Sequence, residues 1–188
     1  TLQAALEISC NTAFAWLGME LGADAIDEQA RKFGFESEFE VPMMAAVSKF
    51  PTDLNKPQTA MSAIGQFDVR ATALQMAMVA GGIANDGVVM KPFLVSQVLG
   101  TDLAVLQSTT PSAFGRAMSN GNAKILQEMM IGVVRDGTAS KARIAGLAVG
   151  GKTGTAENAP GEPAHAWFVG FAPMGESQIA IAVVLENG

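Results

Sequence analysis

The spacing of apolar residues divides the chain into a helical first two-thirds and a strand-rich end. Leu2 and Leu6, with Ala5 beside them, form one apolar stripe on a helix predicted over residues 1–8. Phe14, Leu17 and Leu21 repeat that spacing over residues 12–21. A short third helix over residues 24–33 is expected to end at Gly34. Between residues 36 and 65 the period dissolves, and Pro42, Pro51 and Pro57 punctuate what reads as a long irregular surface segment. Asp68 is the predicted cap of a helix running to residue 84 that buries Leu74, Ala77 and Met78. Asn85-Asp86-Gly87 reads as a turn, residues 88–90 and 93–99 as strands, and residues 103–107 as a segment pairing back on the second of these. An amphipathic helix over residues 122–135, with Ile125, Met129 and Val133 on its apolar face, is expected to stop at Gly137. Strands are then predicted over residues 147–156, 166–172 and 178–185, joined by Gly- and Pro-containing linkers that suit antiparallel connections. Helices followed by an antiparallel sheet give an α+β layered domain, with fewer strands than a covered sheet needs.

Composition narrows this picture little. Hydrophobic residues are 49% and charged residues 16% of 188, enough apolar material for a real core in one domain or most of one. The net charge of -6 and the lack of any Lys/Arg run argue against nucleic acid as a partner. A single cysteine, Cys10, precludes a disulfide within the chain, and a single histidine, His165, precludes a His-based zinc site. No apolar run approaches the roughly 18 residues of a membrane span. An anchor or export signal, if the protein has one, is expected outside these residues.

Two short motifs carry the chemistry. Lys152-Thr153-Gly154-Thr155 lies in a predicted strand, where alternation puts Lys152 and Gly154 on one side and Thr153 and Thr155 on the other. A lysine there supplies a positive charge near a bound carboxylate or a nucleophilic hydroxyl, and the threonine hydroxyl adds a hydrogen bond to the same anion. Gly154 leaves room for a close approach, and an extended peptide can lie along such an edge. Ser9-Cys10-Asn11 falls between two helices. For both Ser9 and Asn11 to face one ligand the helix must break there, because residues two apart on a helix diverge. Taken alone, each motif has a plainer reading, a Gly-rich strand end with a solvated lysine and an ordinary helix cap. Gly150-Gly151-Lys152-Thr153 ends like a phosphate loop but lacks the earlier glycine that one requires.

In this order and separation, Ser-x-Asn and Lys-Thr-Gly resemble two of the three active-site motifs of penicillin-recognising serine enzymes. The stretches Ala63-Ile64-Gly65-Gln66, Leu74-Gln75-Met76-Ala77, Ile83-Ala84-Asn85 with Gly87, Asp136-Gly137-Thr138-Ala139 and Ala166-Trp167-Phe168-Val169-Gly170-Phe171-Ala172-Pro173 extend the likeness over nearly the whole chain. It is closest to the class B, monofunctional penicillin-binding transpeptidases. The resemblance implies that residues 1–188 are the C-terminal portion of one transpeptidase domain, with the penicillin-binding protein/serine β-lactamase fold incomplete in this chain. It implies Ser9 and Lys152 as catalytic residues, Ser9 relaying a proton and Lys152 raising the local positive potential. Asn11, Thr153, Gly154 and Thr155 would bind substrate: Asn11 through its amide, Thr153 and Thr155 through the substrate carboxylate, and Thr155 also through a backbone N–H forming half an oxyanion hole. No metal or organic cofactor is implied. The implied partners are peptidoglycan stem peptides and β-lactams, at the extracytoplasmic face of the cytoplasmic membrane, with an anchor in a segment outside this chain. The third motif, Ser-x-x-Lys, is absent, since no serine of the 188 has a lysine three positions on. The nucleophile is therefore expected from an upstream segment.

Rival readings remain at this point. A D,D-carboxypeptidase, a serine β-lactamase, or a β-lactam sensor that acylates without turnover would carry the same motifs. A thiol hydrolase would use Cys10 with His165 as base and Asn11 as orienting group, although Cys10 as a small buried residue and His165 as a strand-edge residue are the simpler readings.

Overall fold

The computed structural model describes residues 1–158, 161–174 and 179–188. Its elements, in chain order, are α1 (Leu2–Glu7), α2 (Asn11–Leu21), α3 (Ala23–Lys32), α4 (Lys56–Ser62), α5 (Ala73–Ala84), β1 (Val88–Met90), β2 (Gln97–Leu99), β3 (Val105–Ser108), β4 (Ala113–Arg116), α6 (Asn120–Arg135), a 3-10 turn at Ser140–Ala142, β5 (Gly150–Ala156), β6 (His165–Ala172) and β7 (Ile179–Leu185). The last strand was expected from Gln178, which lies outside the described residues, as does Pro160 of the preceding linker.

Strands β5, β6 and β7 form an antiparallel sheet in that order, with Thr153 opposite Phe168 and Val169 opposite Ala182. Helix α5 packs on β6 and β7, α6 packs on β5, and α1 packs on α6. Phe171 of β6 is 1% exposed and meets Ile83 of α5 and Met130 of α6. A second cluster joins Val133, Val134 and Ala139 to Leu6 of α1 and Phe168 of β6. The α+β layering expected from the pattern is thus present. Two small antiparallel pairs complete it. β1 pairs with β4, a strand the pattern did not predict, and β2 pairs with β3 as expected. The strand predicted over residues 93–99 shrinks to its last three residues, because only those find a partner on β3.

Helix starts follow capping chemistry. Thr1, Thr72 and Ser119 accept the N–H groups of Ala4, Gln75 and Asn122 at the starts of α1, α5 and α6. Asp68 is therefore not the cap of α5. Its carboxylate accepts instead from the Arg70 guanidinium, at 3.0 and 2.9 Å. The segment over residues 36–65 is not wholly irregular either, for α4 lies within it. Asn55 and Gln58 form a reciprocal capping box there, and Pro57, read as a breaker, occupies the first turn where its missing N–H costs nothing.

Two further corrections concern α6. Its buried face is Ala123, Gln127, Met130, Val133 and Val134, while Ile125 is 58% exposed. Gln127 turns inward because its amide donates to the Ile83 carbonyl oxygen at 2.6 Å, satisfying a carbonyl near the end of α5. Gly137 follows the helix without the left-handed conformation expected of a stop signal. A Cβ there would overlap the Glu7 carbonyl oxygen, so close approach of α1 is what requires glycine.

Beyond β6, the sheet is partly bare. Ala180 sits against Gly81 of α5, and alternation turns Ile179, Ile181, Val183 and Leu185 to the other face, where they are 41–66% exposed. Among the described residues no helix is long and apolar enough to cross a membrane.

Candidate active site

Helix α1 ends in a Schellman motif: the N–H of Ser9 donates to the Leu6 carbonyl at 3.2 Å and that of Cys10 to the Ala5 carbonyl at 2.8 Å. The left-handed position of this motif, which glycine favours, is held by Ser9 with φ 54°. A left-handed L-residue costs roughly 1–2 kcal/mol, and such strain is found where a side chain must point in one particular direction. The chain then restarts at once, with Asn11 as the exposed first residue of α2. The break expected from Ser9 and Asn11 is present, and it is a reversal of backbone hand rather than a loop.

The opposite wall is β5. Gly150 and Gly151 open it because Cβ atoms there would overlap the rings of Phe171 and Phe168. That explains the glycine pair by packing under two aromatic rings. An antiparallel ladder binds alternate residues to the neighbouring strand and turns the others outward. The carbonyls of Thr153 and Thr155, two residues apart, both accept from outside the sheet. Lys152 Nζ donates to the first at 2.8 Å and Gln66 Nε2 to the second at 3.0 Å. The N–H groups of Thr153 and Thr155 share that outward direction, along an edge where, among the described residues, β5 pairs with β6 alone.

These walls meet through Lys152, whose Nζ donates to Ser9 Oγ at 2.8 Å across 143 residues of sequence. Alternation had put Lys152 on the side opposite Thr153 and Thr155. The ammonium reaches round the strand edge to the outward Thr153 carbonyl, so its contacts are made at the edge rather than on a face. Burial pushes the Lys152 pKa below its ordinary value, and among the described residues no carboxylate pairs with it. A charged donor short of a counter-anion, beside outward backbone N–H groups, suits a bound carboxylate or a developing oxyanion.

Two residues without an assigned role in the sequence belong to this site. Thr138, just after α6, places its Oγ1 2.7 Å from Thr153 Oγ1. Gln66, at the turn leaving α4, fixes the Thr155 carbonyl. Both lie in stretches that carried the family resemblance, which was the available signal.

Cys10 and His165 do not form a pair. The Cys10 thiol lies 3.3 Å from Thr12 Oγ1, and its pKa is lowered first by that hydroxyl and then by the Ala13 N–H at the start of α2. His165 stands opposite Ala156 at the far end of the ladder, where its Nδ1 accepts the Asn187 N–H at 3.1 Å.

Comparison with known proteins agrees in sequence and in shape. Over 192 aligned residues the chain is 40% identical to the peptidoglycan D,D-transpeptidase PbpA of Mycolicibacterium smegmatis, covering 100% of this chain and 39% of that protein. It superposes on the crystal structure of PBPA from Mycobacterium tuberculosis with a TM-score of 0.95 at 39% identity, covering all of this chain and 46% of that one. The imipenem acyl-enzyme complex of penicillin-binding protein A from M. tuberculosis gives 0.95 at 40% identity, with 43% of that chain covered. The chain thus spans about two-fifths of the curated relative's length. The family model described as the penicillin binding protein transpeptidase domain matches residues 1–188, and the chain belongs to that family.

Proposed function

We propose that residues 1–188 are the C-terminal portion of one transpeptidase domain, and that the whole protein is a serine-type peptidoglycan D,D-transpeptidase. An upstream segment carries the Ser-x-x-Lys motif and supplies the nucleophile. Its hydroxyl attacks the carbonyl between the two D-alanines of a stem peptide, the C–N bond breaks, and the terminal D-alanine leaves with a proton. An amine of a neighbouring strand then attacks the ester, forming the cross-link and restoring the serine hydroxyl. β-Lactams enter the first half of this sequence and stop there.

In this chain Ser9 relays the proton, and Lys152 holds Ser9 and favours the deprotonated nucleophile. Asn11 holds the substrate backbone. Thr153 and Thr155 receive the terminal carboxylate, and Gly154 keeps the edge between them low. The outward N–H of Thr155 is half of the oxyanion hole. The observation that carries the reading is the 2.8 Å contact of Lys152 Nζ with Ser9 Oγ at an open strand edge. The apolar outer face of β7 supports an incomplete domain, because four exposed aliphatic residues in a row call for a cover. The reaction places the protein at the outer face of the cytoplasmic membrane, anchored by a segment outside these residues.

Fluorescent-penicillin labelling tests this. Full-length protein should be labelled covalently and this chain alone should not. Covalent label on the chain alone would overturn the assignment of the nucleophile.

A further inference from the structure

We infer that Thr138 is a positioning residue that orients the Thr153 hydroxyl and donates to it when a carboxylate is bound, strengthening the grip of Thr153 on that carboxylate. The inference rests on the reading that Thr153 binds that carboxylate.

The argument begins with proton counting. Thr138 Oγ1 and Thr153 Oγ1 are 2.7 Å apart, a full hydrogen bond between two groups that each own one proton. If Thr153 donates to Thr138, its only proton is spent and its oxygen lone pairs face the incoming anion. If Thr138 donates to Thr153, the Thr153 proton is free for the carboxylate. The bond it then makes is strengthened by the one it receives. Carboxylate binding therefore selects the second arrangement, and the Thr138 oxygen, which is exposed, takes its own acceptor bond from solvent.

Thr138 is held for this purpose. Its backbone N–H donates to the Glu7 carbonyl at 3.1 Å. The preceding Gly137 allows that approach, since a Cβ there would overlap the same oxygen. Glu7 lies two residues before Ser9 on α1. The Gly137-Thr138 turn thus fixes the β5 wall to the helix that presents Ser9, and the hydroxyl contact is its side-chain expression. A residue placed only for packing would have no need of a hydroxyl aimed at another hydroxyl on an exposed surface.

The test uses the full-length protein and two thioester donors, an acyl-D-alanyl-D-thiolactate with a free carboxylate and the same compound ending in a carboxamide. The measured quantity is the ratio of kcat/KM for the two. Thr138→Val should lower the preference for the carboxylate about threefold, because Thr153 keeps its own proton and loses only the bond that orients and strengthens its grip. Thr138→Ser should restore it. Thr153→Val should lower it at least as far, and Thr138→Val added to Thr153→Val should lower it no further. Should Thr138→Val misfold, Thr138→Ala is held to the same ratio. A preference kept within twofold by Thr138→Val while Thr153→Val abolishes it would overturn the role of Thr138 alone. A preference untouched by Thr153→Val would overturn the carboxylate reading, and the present inference with it.

Discussion

Ser9 offers two substitutions that separate its backbone from its side chain. Ser9→Ala removes the hydroxyl and keeps a Cβ in a left-handed conformation, φ 54°. Ser9→Gly removes the same hydroxyl and relieves the conformation. Both lose the hydrogen bond from Lys152 Nζ, so that loss cancels between them. What remains is the left-handed penalty of roughly 1–2 kcal/mol, less the extra entropy of about 0.5–1 kcal/mol that glycine loses on folding. Ser9→Gly should therefore be more stable than Ser9→Ala by about 0.5–1 kcal/mol. For a unit of this size that is about 1–4 °C in the transition of the transpeptidase domain, read by calorimetry on the full-length protein. Acylation by penicillin should fall in both variants by about a hundredfold, the usual worth of a positioned proton relay. Equal melting temperatures, or a more stable alanine variant, would refute the strained Schellman geometry. Acylation within twofold of wild type in either variant would refute the relay.

Three other substitutions address the rest of the site. Lys152→Met should slow acylation by about tenfold or more, through loss of charge-assisted bonds to Ser9 and the Thr153 carbonyl, without lowering the melting temperature at neutral pH. Burial holds the Lys152 pKa below the value of 10.5, so the folded state binds fewer protons than the unfolded one between those two values. This residue's contribution therefore becomes more favourable as pH rises through that window, and the stability difference between wild type and Lys152→Met should shift toward wild type there in pH-resolved denaturation. Gln66→Leu removes a neutral donor to the Thr155 carbonyl and should cut the acylation rate about fivefold. A faster rate would mean that Gln66 competes with substrate for that carbonyl. Cys10→Ser should leave acylation unchanged and be neutral or slightly stabilising, because serine is the better residue at the helix-start position Cys10 occupies; loss of activity would revive a thiol mechanism.

Where sequence and fold diverged, a local signal had two physical uses. Proline disfavours a helix interior but suits its first turn, and nothing at Pro57 itself says which applies until Asn55 and Gln58 are read as a box. Asp68 and Thr72 are both competent caps, and the choice fell to Thr72 once the Asp68 carboxylate was engaged by Arg70. Ile125 belongs to a sound apolar stripe, yet α6 is rolled so that Gln127 reaches the end of α5. Only the position of α5 creates that demand, and a periodicity confined to α6 cannot contain it. The helices α1, α2 and α3 and the strands β5 to β7 were legible because their spacing and their Gly punctuation agreed.

The break at Ser9 and the strand edge at Lys152 were legible in the sequence, and the way Lys152 reaches that edge was not, for one reason. Strand alternation is a statement about faces, and it separates Lys152 from Thr153 and Thr155. The site lies on an edge, where backbone N–H and C=O groups point outward and a long side chain can curl round to meet them. Lys152 does so, bonding both the Thr153 carbonyl and Ser9 Oγ. Which of its two edges a strand leaves open is not written in its own residues, since it depends on which strands pair. The same holds for Thr138 and Gln66, whose contacts with β5 span 15 and 89 positions. Ser9 is the complementary case. Its type suggested a break, but the left-handed turn follows only when the ends of α1 and α2 are both fixed. The strain it carries is then the cost of aiming a hydroxyl, rather than a hydrogen atom, at Lys152.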